Sequence, residues 1–415
     1  MAHVGIIGGG VIGLCSAYYL NREGHQVTVI DQTKLADGCS FGNAGMIVPS
    51  HIIPLAAPGM ISKGIRWMFD STSPFYIRPR LSGDLLRWGY HFYKHATQAH
   101  VNRSIPALRE LSLFSKTLYQ QMARELPFNF GYQERGLLML YQTKETEHEE
   151  AETAAIANRQ GIEAHVLSAR EAQELEPDVK LNVRGGVYFP GDAHLIPQQL
   201  LQGLMELLQK QGVTILSHTP VVDFEVAQGQ VRKVVTESES LSFDEVVVAT
   251  GSWSGVLTKK LRIDLPMQAG KGYSFTLPDV AKNVQVPSIF LEARVAVTPM
   301  GRQLRFGGTM EIAGVNHEVN MNRVKGIVNA IPWYYPEMKV AMPPRESVWH
   351  GLRPCSPDGL PYIGRTTQWK NLVIATGHAM MGLSLAPATG KLVAELVGRQ
   401  PTSLLLGMFD AERFN

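Results

Sequence analysis

Residues 349–364, WHGLRPCSPDGLPYIG, set one arginine, Arg353, among three prolines and three glycines between apolar flanks. A solvated arginine needs no such stiff surroundings; one that must hold a fixed position does. Near the other end of the chain Gly8, Gly10 and Gly13 spell GxGxxG. Gly8 permits a tight turn, Gly10 lets backbone approach a pyrophosphate, and Gly13 lets a helix pack closely on a strand. A helix starting there faces the phosphates with free N–H groups and the positive end of its dipole. Asp31, eighteen residues after Gly13, can accept hydrogen bonds from the adenosine ribose. Dinucleotide binding is the chemistry these spacings describe.

Such residues need elements to place them. HVGIIGGGVIGLCSAYYLNREGHQVTVIDQ reads as a short buried strand (4–7), a glycine turn, an apolar helix from Val11 ended by Gly24, and a second strand closed by Asp31. An NAD domain would usually proceed to a third βα unit. Here DGCSFGNAGMIVPS follows, rich in small residues such as Ser40, Asn43, Ala44 and Gly45. Such a loop can bring backbone N–H groups against a second phosphate or a flavin ring, or be an ordinary connection. Further on, Pro197 suits the first turn of a leucine-rich helix, and Val221 opens an extended segment. FDEVVVATGSWS (243–254) is a buried strand ending near Gly251 and Trp253, where a sheet presents its carboxyl edge to a ligand. NLVIATGHAMMGLSLAPATGKLVAELVG (371–398) repeats the order strand, glycine turn, helix. The helix from Gly382 can aim its first N–H groups at an electron-rich oxygen. Cofactor-like turns at both ends of the chain predict one discontinuous cofactor domain with a second domain inserted into it.

The 415 residues suit one large or two interleaved domains. With 45% hydrophobic and 18% charged residues a sizeable core is expected, and the net charge of +2 gives no pointer to nucleic acid. Cys15, Cys39 and Cys355 form no CxxC and no even framework, which fits a reducing compartment and no metal site. No apolar run reaches a membrane span; the expected location is cytoplasmic, or peripheral on the inner face of the plasma membrane. Residues 61–100 combine Lys63, Arg66, Arg78, Arg80, Arg87 and Lys94 with Trp67, Phe69, Phe75, Tyr76, Trp88, Tyr90, Phe92 and Tyr93. That stretch either docks on anionic lipid or packs its aromatics on the core. His91, His95 and His100 share helical spacing without an acid or cysteine to complete a metal set, so they are read as solvated.

With these motifs in order, the chain resembles the FAD-dependent oxidoreductases of the D-amino-acid-oxidase (DAO) type, and among them the D-amino acid dehydrogenases. The resemblance rests on PLAAPGMISKGIRWMF, GKGYSFTLP, GLRPCSPDGLPYIG, GHAMMGLSLAPATG and the terminal AERF. It implies an α/β fold: a Rossmann-like FAD-binding domain (1–80, 190–255, 350–415) and an inserted α+β, mixed-sheet substrate domain (81–189, 256–349). It implies FAD held by Gly8, Gly10, Val11, Ile12 and Gly13, by Asp31 and Gln32, and by Ser40, Asn43, Ala44, Gly45 and Met46. Val221, Gly251 and Trp253 belong to the same set, with Gly377, Met381, Gly382, Leu383 and Ser384. Sarcosine oxidases bind FAD covalently through a cysteine upstream of a Thr-Pro-Asp; aligned on Ser356-Pro357-Asp358 that position is Gly351, so FAD is expected to dissociate. Met380-Met381 stand where glycine oxidases carry Arg-Asn, which suggests an apolar pocket.

The resemblance gives Arg353 the substrate carboxylate, with the Tyr273 phenol as second donor; His378 either touches the flavin or fills its turn. The implied reaction is oxidative deamination of a D-amino acid to a 2-oxo acid and ammonia, with hydride passing from Cα to flavin N5 and electrons to a quinone or other acceptor. Rival readings are oxidation of hydroxy-D-proline, glycine or sarcosine, a flavin-binding subunit of a tRNA-modifying or non-catalytic complex, and an NAD dehydrogenase.

Overall fold

The computed structural model of the chain describes residues 1–35, 38–67, 73–78, 80 and 82–414. Of the aromatic and basic stretch, Phe69, Asp70 and the side chains of Lys63, Arg66 and Trp67 lie outside it.

Two sheets organise the molecule. The first has six strands in the order Tyr362–Arg365, Leu372–Thr376, Glu245–Val248, His3–Ile7, Gln26–Ile30, Thr214–Leu216. All neighbours are parallel except the Tyr362–Arg365/Leu372–Thr376 pair. Parallel strands covered on both faces read as continuous apolar runs, which is why Val4, Ile6, Val27, Val29, Val247 and Val373 are buried together. One face is covered by the helices Val11–Arg22, Pro197–Lys210 and Gly382–Val397. Pro197 sits in the first helical turn, as its spacing predicts. A three-stranded antiparallel sheet, Val221–Ala227, Gln230–Thr236 and Ser240–Leu241, packs on the opposite face.

The second sheet is mixed. Its main path runs Trp349–Cys355, Gln268–Leu277, Gln303–Ile312, Val295–Met300, Ser288–Phe290, Leu137–Tyr141, Gly185–Phe189, His165–Ser168. Phe75–Ile77, inside the first expected cofactor segment, pairs with Gln303–Ile312 of this sheet, and Trp349–Cys355 crosses the expected boundary at 350. The helix Met321–Tyr334 covers the far face, where Phe290 stacks on Tyr334 at 4.2 Å.

Part of the aromatic stretch packs on the core. On the helix Gly83–His95, Trp88 is buried and donates Nε1–H to Cys355 O (2.9 Å), whereas Leu86, Tyr90 and Tyr93 stay exposed. The three histidines are less solvated than expected, with His91 and His95 half-buried. His100 is buried with Nε2 2.8 Å from Asp358 O, and His91 and His95 pack edge-on against Phe414. Among the described residues no helix is long and apolar enough to cross a membrane.

Candidate active site

A cavity of about 840 Å³ opens between the carboxyl edge of the six-stranded sheet and the Trp349–Cys355 end of the mixed sheet. The glycine loop forms one end. Gly8 has φ +106°, a region that suits only glycine, and a Cβ there would lie 2.4 Å from Ala249 O. Gly13 packs its helix so closely that a Cβ would meet Gly8 O at 1.9 Å. The first intrahelical bond is Leu14 N–H to Gly10 O (2.9 Å). Ahead of it Val11 N–H donates to Ser40 Oγ (3.1 Å), while the N–H groups of Gly10, Ile12 and Gly13 find no acceptor among the described residues. Gly10, Val11 and Ile12 border the cavity, so this end is prepared for an anion. Asp31 shapes the rim, accepting Gly9 N–H (2.7 Å) and Thr33 N–H (2.7 Å), with Gln32 beside it on the wall.

The small-residue loop is tied down from behind. Gly42 O accepts from Ser274 Oγ (2.9 Å) and Asn43 O from Arg305 Nη1 (2.8 Å). In a trans peptide C=O and N–H point opposite ways, so anchoring Asn43 O turns Ala44 N–H away from Arg305. That N–H has no acceptor among the described residues, and Ala44 lines the cavity. Arg305 is buried without a carboxylate partner among those residues, and burial lowers its pKa to about 10. At the opposite wall the helix Gly382–Val397 begins without a side-chain cap; Met381, Gly382, Leu383 and Ser384 border the cavity.

Of the residues expected to hold the cofactor, only Gly13, Gly45 and Gly377 stand behind the wall; the others line it, including Met46, Val221, Gly251 and Trp253. Gly45 and Gly377 take φ +80° and +79°, turning the backbone that carries their neighbours. Bare loops, free N–H groups and an acid at the rim are the donor and acceptor set that a dinucleotide requires.

Arg353 also lines this cavity. Among the described residues it has no carboxylate partner, and its single side-chain hydrogen bond runs from Nη1 to Thr309 O (2.5 Å). Burial pushes its pKa down, opposed only by the neighbouring Cys355 and Cys39. The turn after it is clamped. Asp358 is buried and pairs with Arg413 through Nε (2.7 Å) and Nη2 (3.0 Å), and the Arg413 guanidinium lies 4.0 Å over the Tyr362 ring. Burial raises the Asp358 pKa, but the Arg413 charge and hydrogen bonds outweigh it and hold the carboxyl below its ordinary value. Asp358 and the terminal Arg413 thus fix the turn that follows Arg353.

Tyr273 is a correction. It borders the cavity, but its hydroxyl donates to Glu311 Oε2 (2.8 Å) and accepts Asn320 N–H (3.2 Å), so it is not free for a carboxylate. Strand alternation explains this. A Cβ on Gly272 would come 2.3 Å from Arg353 Nη2, and Ser274 reaches Gly42, so the even-numbered positions face Arg353 and the small-residue loop. Lys271 and Tyr273 face the other way, toward Glu311. His378 is at the wall, buried, with Nε2 2.9 Å from Thr389 Oγ1; burial lowers its pKa to about 3, so it stays neutral.

Three wall residues escaped the sequence reading. His51 has its pKa lowered to about 4 by burial and the Arg294 charge. Trp349 lays its indole over Gly42 and Gly351, where Cβ atoms would meet it at 2.1 Å. Thr309 adopts φ +62° inside a strand, which costs a β-branched residue on the order of 1–3 kcal/mol. The glycines of GKG (270–272) and of GG (307–308) were the available signal for close packing on this wall.

The profile of the DAO family, FAD dependent oxidoreductases, matches residues 3–396. The chain belongs to that family. It is an FAD-dependent oxidoreductase, which removes the NAD reading. It is 32% identical to a D-amino acid dehydrogenase of Helicobacter pylori over 395 residues, covering 94% of this chain and 93% of that one. It is 32% identical to one of Granulibacter bethesdensis over 410 residues, covering 95% and 96%. Among solved structures, glycine oxidase from Geobacillus kaustophilus superposes with TM-score 0.80 at 24% identity over 100% of both chains. L-proline dehydrogenase from P. horikoshii gives 0.78 at 19% over 100% of this chain and 97% of that one. These two likenesses establish the family's fold, a Rossmann-like cofactor sheet with a mixed second sheet.

Proposed function

We propose that this member of the family is a D-amino acid dehydrogenase, converting a D-amino acid to a 2-oxo acid and ammonia. The observation that carries the reading is Arg353: a half-buried guanidinium on the cavity wall that no carboxylate of the described residues neutralises. A cation drawn partly out of water without a partner is costly, and an incoming carboxylate supplies that partner through a bidentate fork. Fixing the carboxylate fixes Cα, which is the positioning that hydride transfer requires. The curated relatives named D-amino acid dehydrogenase support the D series.

FAD, when bound along the glycine loop and the Ser40–Met46 loop, supplies the hydride acceptor. The chain's own residues do the rest. Arg353 binds and aims the carboxylate. Met46, Met139, Met310, Met380 and Phe75 give the side chain an apolar wall. His51 and His378, with pKa values pushed to about 4 and about 3, stay neutral and add no charge. The uncapped start of the helix Gly382–Val397 favours negative charge at the opposite wall. The substrate amine enters neutral, and water hydrolyses the released imine.

For the acceptor we favour a quinone. Exposed Leu86, Tyr90 and Tyr93 recur at i, i+4 and i+7 on the helix Gly83–His95, with the Lys94 ammonium 4.8 Å over Tyr90. That face suits a lipid surface where quinones reside. The test is an anaerobic titration of the yellow enzyme with D- and L-amino acids, then stopped-flow reoxidation by a soluble quinone or by air-saturated buffer. Bleaching by D-amino acids and faster reoxidation by quinone are expected. Bleaching by glycine, sarcosine or a hydroxy-D-proline alone would replace the substrate assignment, and rapid reoxidation by O₂ the acceptor.

A further inference from the structure

The way Arg353 is held has no counterpart in the motifs. Strands Gln268–Leu277 and Gln303–Ile312 pair Tyr273 with Gly308 and Lys271 with Glu311. One residue, Gly272, therefore opposes two, Thr309 and Met310, and the ladder bulges there. Thr309 takes φ +62°, the only β-branched residue with positive φ among those described. The conformation is held from outside, since Met310 N–H donates to Pro74 O (2.7 Å). Its result is that Thr309 O meets Arg353 Nη1 at 2.5 Å, while the head of the guanidinium, Nη2, Cζ and Nη1, lies over the bare backbone of Gly272.

Holding the guanidinium through a carbonyl differs from holding it through a carboxylate. A carboxylate would fix its place but cancel its charge; a carbonyl fixes its place and leaves the charge for a ligand. We infer that the bulge of Thr309 against Gly272 is the positioning device of the active site, aiming Arg353 at the substrate carboxylate without neutralising it. This rests on the carboxylate-binding role proposed for Arg353. Thr309 and Gly272 are positioning residues: they act through Arg353.

The test uses FAD-loaded enzyme and two variants. Deleting Thr309 lets Gly272 pair with Met310 and removes the acceptor. Gly272→Ala places a methyl against Nη2 from the other side, leaves Thr309 in place, and decides the matter if the deletion does not fold. Two quantities are read: the ratio of kcat/KM for D-leucine to that for isoamylamine, which lacks the carboxylate, and the Kd of isocaproate, which lacks the amine, from the flavin absorbance. Each folded variant is expected to lower the ratio and weaken isocaproate by about tenfold or more. A merely structural bulge would lower both turnovers together. A folded variant with the parent ratio and the parent isocaproate Kd overturns the inference. Arg353→Ala is measured alongside; if it too leaves the ratio unchanged, the clamp itself fails, which is a different result.

Discussion

Replacing Arg353 by alanine should separate binding of a carboxylate from everything else the protein does. The side chain touches one protein acceptor, Thr309 O, and pairs with no acid among the described residues, so its loss strands no buried anion of the fold. On the proposed clamp it strands the substrate's. Removing one side of a desolvated charge pair costs ~2–5 kcal/mol. A middle value of ~3 kcal/mol is on the order of a hundredfold in kcat/KM, from ~1.4 kcal/mol per decade. Arg353→Lys should recover only part, because an ammonium cannot reproduce the planar two-bond fork. FAD content and thermal stability should stay near the parent. The assay is steady-state turnover of a good D-amino acid beside the matching amine, with flavin quantified per protein. Equal losses for acid and amine, or loss of flavin, would refute the reasoning and make Arg353 a support of the fold or the cofactor.

Other outcomes follow from the same geometry. FAD should be released by acid precipitation and stay in the supernatant, since the Trp349 indole already fills the space a side chain at Gly351 would need; yellow colour in the pellet contradicts this. D-Methionine and D-leucine should exceed D-lysine and D-arginine in kcat/KM. Asp31, at the rim beside the glycine loop, is the only acid among the described residues on the cavity wall, whereas Arg353, Arg294 and Lys260 are all cationic; a preference for basic substrates would overturn it. His194 is buried and its pKa is lowered to about 4, against ~6.5 unfolded. Because the unfolded chain takes up this proton first, its contribution is fully present above pH ~6.5 and is lost as pH falls toward 4. His194→Gln should therefore remove roughly 3 kcal/mol of the stability difference between neutral pH and pH ~4, as read by chemical denaturation; an unchanged pH dependence would exclude the ring.

What could be read from sequence follows the range of the interactions. The glycine loop, Asp31 and the helix from Gly382 were legible because turn, helix start and strand end are local and their spacing carries the geometry. Arg353 was legible through its stiff surroundings, although the reason for the stiffness, the Asp358–Arg413 pair, joins residues 55 apart in sequence. Tyr273, which the resemblance offered as a second donor, has its hydroxyl engaged by Glu311 and Asn320 because its side chain faces away from Arg353. In GKGYS the two glycines and the serine alternate with Lys271 and Tyr273, and the small set marks the crowded face. Thr309 gave no signal, since its φ arises from a register mismatch between two strands. The histidines at 91, 95 and 100 looked solvated because the residues that cover them, Asp358 and Phe414, are far away in the chain.

The six-stranded sheet has its first-made strand near the middle. His3–Ile7 pairs on one side with Gln26–Ile30, available almost at once, and on the other with Glu245–Val248, where Val4 meets Glu245. At ~5–20 residues per second of synthesis, that second partner emerges roughly 12–48 s after the first strand. In the interval the apolar run VGII offers an unpaired edge of the kind that invites wrong partners. Closure of such distant pairs is slow, so overproduction should yield soluble enzyme more readily when translation is slowed or a chaperone is supplied. Flavin added late in synthesis should be captured as well as flavin present throughout, because the sheet that lines its site closes only after residue 248 has appeared.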